Sequence, residues 1–323
     1  MSKRTPTAGR IALVTGSSRG LGLLIAGELA SRGCRVMLCG RDELALARAL
    51  AKLRGLPGAV AATSCDLTSA DAPAKLLDGV RLHFGADVDL LVNNAGSIQV
   101  GPLSALGEED FRDAYELMAL APLRLVQAVL PGMLARGSGS IATIGSVGGR
   151  IAVPHLLPYS TAKFAAVGLS EGLAAELATT GVRVTTVVPG LMRTGSQNGA
   201  EFAGRPGREY AWFATGASLP LVSIDARRAA RRIADAVEQG RRELVLTPLA
   251  KAAMLVHGLA PATTGRALAM ASRLLPPAGD TPEPRRSGAE AARSHRRGGF
   301  LHRLTVLGER AGHRNNEPSA QWR

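Results

Sequence analysis

Aromatic side chains are scarce in this chain: Phe, Tyr and Trp make up 3% of its 323 residues, although 46% are hydrophobic. Ala, Val, Leu and Gly must therefore fill most of the core. Cysteine is also rare, and Cys34, Cys39 and Cys65 have no spacing typical of a metal or redox motif. We therefore expect no bound metal, and buried thiols in a reducing compartment.

Long hydrophobic runs are missing as well. No apolar run reaches the roughly 18 residues that a membrane-spanning helix needs. Residues 1–9 are few and polar, unlike a secretory leader. The expectation is a soluble, cytoplasmic protein, long enough for one large core or two domains.

Apolar strand candidates alternate with helical patterns up to residue 247. Strands are expected at residues 10–14, 35–39, 59–64, 89–93, 140–144, 182–188 and 243–246. Helices are expected at residues 20–32, 42–53, 69–84, 108–135, 159–180 and 225–239. This alternation predicts an α/β fold with a single doubly wound parallel sheet of about seven strands and helices on both faces.

A glycine-rich turn follows the first strand candidate. The sequence TGSSRGLG (residues 15–22, the glycine turn) leads into an apolar helical stretch, as in a dinucleotide-binding turn. Gly16 permits a sharp bend, whereas Gly20 and Gly22 let backbone approach a pyrophosphate and helix approach sheet. The helix N-terminus offers N–H groups and partial positive charge to phosphates. The spacing G-x-x-x-G-x-G differs from the common fingerprint, and a turn without a ligand is the alternative.

The run YSTAK places Tyr159 four residues before Lys163, with Ser146 thirteen residues upstream of the tyrosine. On a helix this spacing brings phenol and ammonium to one face. An adjacent ammonium lowers the pKa of a phenol from its ordinary value near ~10, which suits a group that transfers protons. Ser146 can hold a substrate oxygen by a hydrogen bond. Such Tyr–Lys pairs also occur on ordinary amphipathic helices, so the upstream motifs give this one its weight.

Taken in order, these motifs resemble the classical short-chain dehydrogenase/reductase (SDR) family. The matching segments are TGSSRGLG, Asp66-Leu67-Thr68, NNAG at 93–96, Ser146, YSTAK, and PGLMRT at 189–194. The resemblance covers residues 10–247 and implies a Rossmann-like fold with hydride transfer between a nicotinamide and a carbonyl or secondary alcohol. It implies that Ser146, Tyr159 and Lys163 are catalytic, with Tyr159 exchanging the proton and Lys163 binding the nicotinamide ribose.

The resemblance also implies a set of cofactor-binding residues. Asp66 is expected at the adenine edge, Asn93, Ala95 and Gly96 along the cofactor, and Thr194 at the carboxamide. The full expected set is Gly16, Ser18, Arg19, Gly20, Leu21, Gly22, Arg41, Asp66, Leu67, Asn93, Ala95, Gly96, Tyr159, Lys163, Pro189, Gly190 and Thr194.

Charge near the second strand favours NADP(H) over NAD(H). Where NAD-preferring members carry an acidic residue, this chain has Gly40, followed by Arg41, and Arg19 lies in the glycine turn. Two guanidinium groups suit a 2′-phosphate. Asp42 is read as an N-cap of the next helix. The alternative is that Arg41 is only a solvated surface residue.

Met118 departs from the family pattern. It stands where an asparagine usually completes the catalytic tetrad and positions a water next to the lysine. A thioether accepts hydrogen bonds weakly and donates none, so an impaired or rerouted proton relay is expected. This departure, together with the basic C-terminal tail, motivates an alternative function: a catalytically weak dinucleotide-binding redox sensor or scaffold.

Residues 191–224 (the lid) hold a large share of the few aromatic residues. The segment holds Met192, Phe202, Tyr210, Trp212, Phe213, Leu219 and Leu221. This composition indicates a lid over an apolar substrate, such as a steroid-like, fatty or aromatic carbonyl compound. A packed helix pair without ligand preference is the alternative.

Beyond residue 247 the composition changes. Residues 248–276 are expected to form a helical extension that docks on the domain, pairs with another subunit or rests on a membrane surface. Residues 277–323 are expected to be a disordered basic tail, because residues 285–323 alone contribute +6 of the net charge of +13. Contact of this tail with nucleic acid or anionic lipid is the less favoured alternative to a solvated tail. The family resemblance implies a homodimer or homotetramer formed through residues 108–135 and 159–180.

Overall fold

The computed structural model of the chain describes residues 6–218, 223–279, 283–295, 312 and 314–317. Its strands are β1 (Ile11–Val14), β2 (Arg35–Gly40), β3 (Val60–Ser64), β4 (Leu90–Asn93), β5 (Gln99–Val100), β6 (Gly139–Ile144), β7 (Val182–Val188), β8 (Leu191–Arg193), β9 (Glu201–Gly204), β10 (Ser223–Asp225), β11 (Glu243–Val245) and β12 (Glu283–Ser287). Its helices are α1 (Gly20–Ser31), α2 (Glu43–Leu53), α3 (Ala72–Phe84), α4 (Glu108–Tyr115), α5 (Ala121–Ala135), α6 (Leu157–Glu176), α7 (Pro206–Ser218), α8 (Ala226–Glu238), α9 (Pro248–Leu259), α10 (Pro261–Ser272) and α11 (Gly288–His295).

Seven parallel strands form the central sheet in the order β11-β7-β6-β4-β1-β2-β3. The predicted doubly wound fold is confirmed, and each of the seven predicted strands is present. The chain order reverses between β1 and β4, and a crevice opens at such a switch point beyond the carboxyl ends of the strands. The glycine turn follows β1 and the NNAG motif begins at the end of β4, so both lie at this crevice.

Two apolar layers hold the sheet between helices. On one face, α1, α2 and α8 pack against β1, β2 and β7 through side chains such as Val14, Leu38 and Val187. On the other face, α3 and α5 pack through side chains such as Leu76 and Leu125. Small aliphatic residues fill both layers, as the scarcity of aromatics required. All three cysteines are buried, free thiols.

The helical stretch Glu108–Ala135 is long and apolar enough to cross a membrane, although the sequence showed no continuous apolar run of that length. Its most apolar 18-residue window has a mean hydropathy of 1.6. Within this stretch, a π-helical turn (Glu116–Leu120) separates α4 from α5. Leu125, Val126 and Met133 of α5 are buried against the sheet. This packing identifies α5 as a core helix of the domain.

A second, smaller layer stands beside the crevice. Strands β5, β9 and β12 form a three-stranded sheet, and α7 and α11 cover it. Its apolar core contains Phe202, Tyr210, Phe213 and, from α11, Ala291. Leu219 and Leu221 of the expected lid lie outside the described residues.

The expectation of a disordered tail does not hold for residues 283–295. Strand β12 pairs antiparallel with β9, and the fully buried Ala291 joins the core of the small layer. Arg285 donates to both carboxylate oxygens of the buried Asp110, at 2.5 and 2.6 Å. Composition alone does not predict this ordered structure, because the residues that this basic stretch contacts lie elsewhere in the chain. Residues 280–282, 296–311, 313 and 318–323 of the expected tail lie outside the described residues.

The Arg285–Asp110 pair gives a prediction on stability. Arg285→Ala leaves the Asp110 carboxylate, which is 3% exposed, with the Gly107 N–H as its remaining donor among the described contacts. Loss of charged hydrogen bonds costs about 1.5–3 kcal/mol each. Because Arg285 is itself 40% exposed, we expect a loss of about 2 kcal/mol in the free energy of unfolding. Denaturant unfolding measures it, with the exposed Arg293→Ala in α11 as the matched control. Equal stability of both variants would contradict the assignment.

Helices α9 and α10 lie mostly at the surface. Ala250 is the one buried residue of α9, and α10 has none. Several large apolar side chains of this hairpin are exposed, including Leu255, Leu259 and Met270. The sequence left three alternatives for this extension: docking on the domain, pairing with another subunit, or resting on a membrane surface. In the structure, docking on the domain involves only the start of α9.

Candidate active site

The glycine turn is built so that only glycine fits at its bend. Gly16 has φ of +61°, a left-handed conformation, and a Cβ there would lie 2.8 Å from the Cα of Ala95. At Gly22, a Cβ would lie 2.3 Å from the carbonyl oxygen of Gly16. The turn therefore packs against itself and against the NNAG motif, which directs the N-terminus of α1 toward the crevice.

Thr15 and Asn94 fix this turn to the end of β4. The Asn94 side-chain amide donates to the carbonyl oxygens of Thr15 (3.0 Å) and Gly16 (3.2 Å). In return, the hydroxyl of Thr15 accepts from the backbone N–H groups of Asn94 and Ala95 at 2.9 and 3.1 Å. These bonds hold the two backbone segments at a fixed distance across the crevice.

Ser146, Tyr159 and Lys163 come together on the opposite side. Ser146 follows the end of β6 and accepts a hydrogen bond from the N–H of Gly148 at 3.0 Å. Tyr159 and Lys163 lie one turn apart in the first half of α6. The Lys163 ammonium donates to the carbonyl oxygen of Ile144 at 2.7 Å and lies 5.7 Å from the centre of the Tyr159 ring.

Burial governs the titration of this pair. It raises the pKa of Tyr159, and the hydrogen bond with Ser146 acts in the opposite direction with a smaller effect. Burial lowers the pKa of Lys163 to about 8. The sequence predicted that Lys163 would lower the pKa of Tyr159, and the structure differs. The Lys163 ammonium lies over the ring and donates to a backbone carbonyl, while burial has the largest effect on the pKa of the phenol.

A cleft of about 460 Å³ connects these groups with the glycine turn. It is lined by Ser146, Tyr159 and Lys163 and by the predicted cofactor residues Gly16, Ser18, Arg19, Gly20, Leu21, Gly22, Arg41, Asp66, Leu67, Ala95, Gly96, Pro189, Gly190 and Thr194. Asn93 is the exception. It ends β4, is 4% exposed, and its side-chain atoms have no hydrogen-bond partner among the described residues. Asn94 lines the cleft in its place.

Charge at the far end of the cleft comes from Arg19, Arg41, Asp42 and Asp66. The Arg19 guanidinium lies 3.6 Å from the Asp42 carboxylate, which also accepts from the N–H of Ala45 as the predicted N-cap of α2. Asp66 accepts from the Thr68 backbone at 3.0 Å. This bond, and more weakly the charge of Arg41, lower the pKa of Asp66. Arg41 itself is exposed.

Met118 lies in the π-helical turn, next to Tyr159 and Lys163. It is 1% exposed and packs with Ala162 and Tyr159. A Cβ on Gly96 would lie 3.2 Å from its sulfur and 3.7 Å from the Lys163 nitrogen. The thioether thus fills space beside the lysine, where the resemblance implied an amide. Single π-helical turns within helices are frequent at functional sites.

The lid aromatics do not face the cleft. Phe202, Tyr210 and Phe213 pack edge-to-face with ring centres 5.6 and 6.0 Å apart around Phe202. The cleft wall is instead lined by smaller apolar side chains, Ile98, Leu117 and Met192. The aromatic residues of the lid therefore pack against one another, as the alternative interpretation expected. The apolar surface of the cleft comes from other residues.

A buried carboxylate ties the lid to the loop before Tyr159. Glu209, at 0% exposure, lies 3.0 Å from Nδ1 of His155 and accepts from the Trp212 indole N–H at 2.7 Å. His155 has φ of +63°, a strained conformation for a non-glycine residue. The histidine does not line the cleft. Its contact with Glu209 connects α7 to the loop before Tyr159.

Comparison with known proteins decides the family. The family model described as short chain dehydrogenase matches residues 10–202. The chain belongs to the short-chain dehydrogenase family. It is similar to dehydrogenase/reductase SDR family member 4 of Rattus norvegicus, at 36% identity over 196 residues, covering 60% of this chain and 70% of the relative. A putative ketoacyl reductase of Streptomyces coelicolor is 39% identical over 186 residues, covering 57% of this chain and 71% of the relative.

The fold comparison agrees. A solved actinorhodin polyketide ketoreductase with NADPH superposes with a TM-score of 0.65 at 31% identity, covering 74% of this chain and 95% of that one. As a short-chain dehydrogenase, the protein is an oxidoreductase of CH–OH and C=O groups that binds a nicotinamide dinucleotide. Within the residues that the structure describes, no group of three or more His, Cys, Asp or Glu could hold a metal ion.

Sequence reasoning missed two features of this short-chain dehydrogenase site. Asn94 holds the glycine turn, and the doubled asparagine of NNAG was the signal that could have indicated it. Glu317, close to the C-terminus, lines the cleft beside Gly20. No local pattern marks Glu317, since its neighbours Gly20, Gly195 and Gly199 all lie far from it in the sequence.

Proposed function

We propose that this short-chain dehydrogenase is an NADP(H)-dependent carbonyl reductase or alcohol dehydrogenase. The observation that carries the proposal is the convergence of Ser146, Tyr159 and Lys163 on one cleft with the glycine turn. Ser146 follows β6, whereas Tyr159 and Lys163 lie on α6. A dinucleotide-binding protein without turnover has no evident need for all three. The redox-sensor alternative draws its support from Met118.

The residues present fit a nicotinamide dinucleotide. The N–H groups at the start of α1 and the close backbone approach at Gly16 and Gly20 suit a pyrophosphate. Asp66 and Leu67 line the cleft where the adenine end would lie, and Pro189, Gly190 and Thr194 line the nicotinamide end. When bound, the dinucleotide supplies the hydride donor or acceptor. The residues named here are the proposed binding set.

NADP(H) is the proposed cofactor because Arg41 is exposed at the cleft. In addition, the end of β2 carries Gly40 where NAD-preferring members have an acidic residue. Arg19 adds a second guanidinium, partly neutralised by Asp42 at 3.6 Å. Guanidinium groups bind phosphate oxygens with paired donors. The similar ketoreductase solved with NADPH supports this choice.

The catalytic groups then divide the proton chemistry. Because burial raises the pKa of Tyr159, its hydroxyl stays protonated at neutral pH and is ready to donate to a carbonyl oxygen in the reducing direction. Ser146 holds that oxygen by a hydrogen bond. Lys163, with a pKa near 8, keeps its ammonium mostly charged at pH 7, which favours the phenolate left after proton transfer.

The proposed substrate is an apolar carbonyl compound. The cleft wall beside the catalytic groups is formed by Ile98, Leu117 and Met192. A name such as ketoacyl reductase for a similar protein is consistent with a carbonyl on an acyl chain. The lid (residues 191–224) supplies Met192 to this wall, while its aromatic core only stiffens it.

We further propose a homodimer or homotetramer in the cytoplasm. Tyr115, Leu134 and Phe164 lie on the long helices named for assembly and are each more than 40% exposed. Their exposure supports an interface through α4, α5 and α6, as in the family resemblance. Three buried free cysteines suit a reducing compartment.

The proposal is tested by NADPH and NADH titration, followed by NADPH oxidation against a panel of ketones, aldehydes and quinones. We expect tighter binding of NADPH and turnover with apolar members of the panel. Tight NADPH binding without turnover of any member would favour the redox sensor instead. No binding of either dinucleotide, even by a variant whose cleft is free, would refute both functions.

The Met118 position gives a separate prediction. Met118→Asn is expected to leave kcat unchanged or raise it by up to about ten-fold, since an amide can hold a water that a thioether cannot. The matched control is Met118→Leu, which keeps the volume and should change kcat little. Steady-state kinetics on folded protein, checked by circular dichroism, decides the outcome. A large loss of kcat for the asparagine variant alone would give the methionine its own role.

A further inference from the structure

A short piece of the C-terminus, residues 312 and 314–317 (the terminal segment), lies in the cleft. The N–H of Gly20 donates to the carbonyl oxygen of Asn315 at 2.7 Å. The side-chain amide of Asn316 donates to the carbonyl oxygens of Ser18 (2.7 Å) and Ala45 (3.2 Å). The segment thus takes up a hydrogen bond of the helix N-terminus that a pyrophosphate would use.

The same segment contacts the opposite wall. The Asn315 side chain donates to the carbonyl oxygen of Thr194 at 2.9 Å. Gly195 and Gly312 pack so closely that a Cβ on Gly195 would lie 2.2 Å from the Cα of Gly312. The terminal segment therefore connects the glycine turn with the nicotinamide wall, and both of its asparagines are at most 4% exposed.

Glu317 fills the space in front of Gly20. A Cβ on Gly20 would lie 2.6 Å from a carboxylate oxygen of Glu317, and Glu317 is 6% exposed. Burial raises its pKa to about 7, while the positive charge of Arg19 acts in the opposite direction. Near neutral pH the carboxyl group therefore carries only part of a negative charge. Its main effect is to occupy volume beside the phosphate-binding turn.

We propose that the terminal segment is an autoinhibitory peptide that excludes the dinucleotide from its own binding site. This inference rests on the proposed function and adds a regulation of that site. The Gly20 N–H cannot donate fully to both the Asn315 carbonyl oxygen and a phosphate. Glu317 occupies the space in which a pyrophosphate would approach the backbone of Gly20. Dinucleotide binding requires the segment to leave.

Covalent attachment makes this competition effective. A peptide on the same chain is present at a high local concentration, so modest contacts suffice to occupy the site. The apparent affinity for the dinucleotide is then reduced by the fraction of molecules in which the cleft is free. Anything that captures the C-terminus would raise the apparent affinity for the dinucleotide.

The test uses the full-length chain with Asn315→Ala and Asn316→Ala combined. This variant loses the side-chain bonds to Thr194, Ser18 and Ala45 and keeps every proposed catalytic and cofactor residue. We expect its NADPH Kd, measured by calorimetric titration, to fall by about ten-fold or more. Arg314→Ala, which removes an exposed side chain from the same segment, is the matched control and should leave Kd unchanged.

Hydrogen exchange gives a readout independent of turnover. Without nucleotide, the amides of residues 18–22 should exchange faster in the double variant than in the wild-type chain. Adding NADPH to the wild type should speed exchange at residues 314–317. Equal exchange of both chains without nucleotide, or equal Kd values, would overturn the proposal. Failure of the released variant to bind any dinucleotide would instead overturn the proposed function, while the exchange comparison still decides whether the segment docks.

Discussion

Tyr159→Phe is expected to lower kcat by about 10²–10⁴-fold, the range that a positioned acid or base contributes. The variant removes one oxygen atom and keeps the ring that packs with Met118 and Ala162. Because Tyr159 is the proposed proton donor and is not proposed to hold the phosphates, NADPH affinity should change by less than about three-fold. The loss should therefore be in kcat and not in cofactor binding.

The control for this prediction is Tyr115→Phe. Tyr115 ends α4, is 46% exposed and does not line the cleft. Its variant should keep wild-type kinetics, which separates the catalytic role from any general effect of removing a phenol. Undiminished turnover of Tyr159→Phe with every accepted carbonyl would refute the assignment of the proton donor.

Arg41→Ala is expected to weaken NADPH binding by about 10–100-fold and to leave NADH binding within about two-fold. Loss of hydrogen bonds to a charged group costs about 1.5–3 kcal/mol, and each 1.4 kcal/mol is a factor of ten in Kd. Arg41 is chosen over Arg19 because Arg19 already has Asp42 at 3.6 Å as a partner. The ratio of the two Kd values isolates the 2′-phosphate, the one group by which the cofactors differ.

Arg54→Ala serves as the control, since Arg54 is an exposed residue just after α2 and outside the cleft. It removes the same charge from the same region. If both variants weaken NADPH equally, the effect is long-range electrostatics and Arg41 has no direct role. If neither does, Arg41 is the solvated surface residue of the alternative interpretation.

The central sheet could be predicted from the sequence because a local pattern of apolar residues defines each of its strands. Strands such as β1 and β4 are buried on both faces, so they appear as short apolar runs between turn signals. The positions of Tyr159 and Lys163 on one helix face and of the glycine turn after β1 were likewise predictable, since local spacings define them. Among the expected cofactor-binding residues, Asn93 is the one that does not line the cleft, and its neighbour Asn94 lines it instead.

Features that depend on contacts with distant parts of the chain could not be predicted from the sequence. Strand β12 has the sequence EPRRS, and its order comes from pairing with β9 and from Asp110 in α4. The sequence does not quantify burial, and burial raises the pKa of Tyr159 despite the opposing hydrogen bond with Ser146. The lid aromatics were correctly grouped, yet whether a ring faces a ligand or another ring is a matter of tertiary packing.

The most direct test of the proposed reductase is deuterium transfer from NADPH carrying deuterium at the transferable C4 position. The protein is incubated with the labelled cofactor and an apolar ketone panel, and the alcohols are analysed by mass spectrometry. We predict at least one alcohol product that carries a single deuterium on its new C–H bond, and none with Tyr159→Phe in the same time. Bound NADPH with no labelled alcohol from any member of the panel would contradict the account.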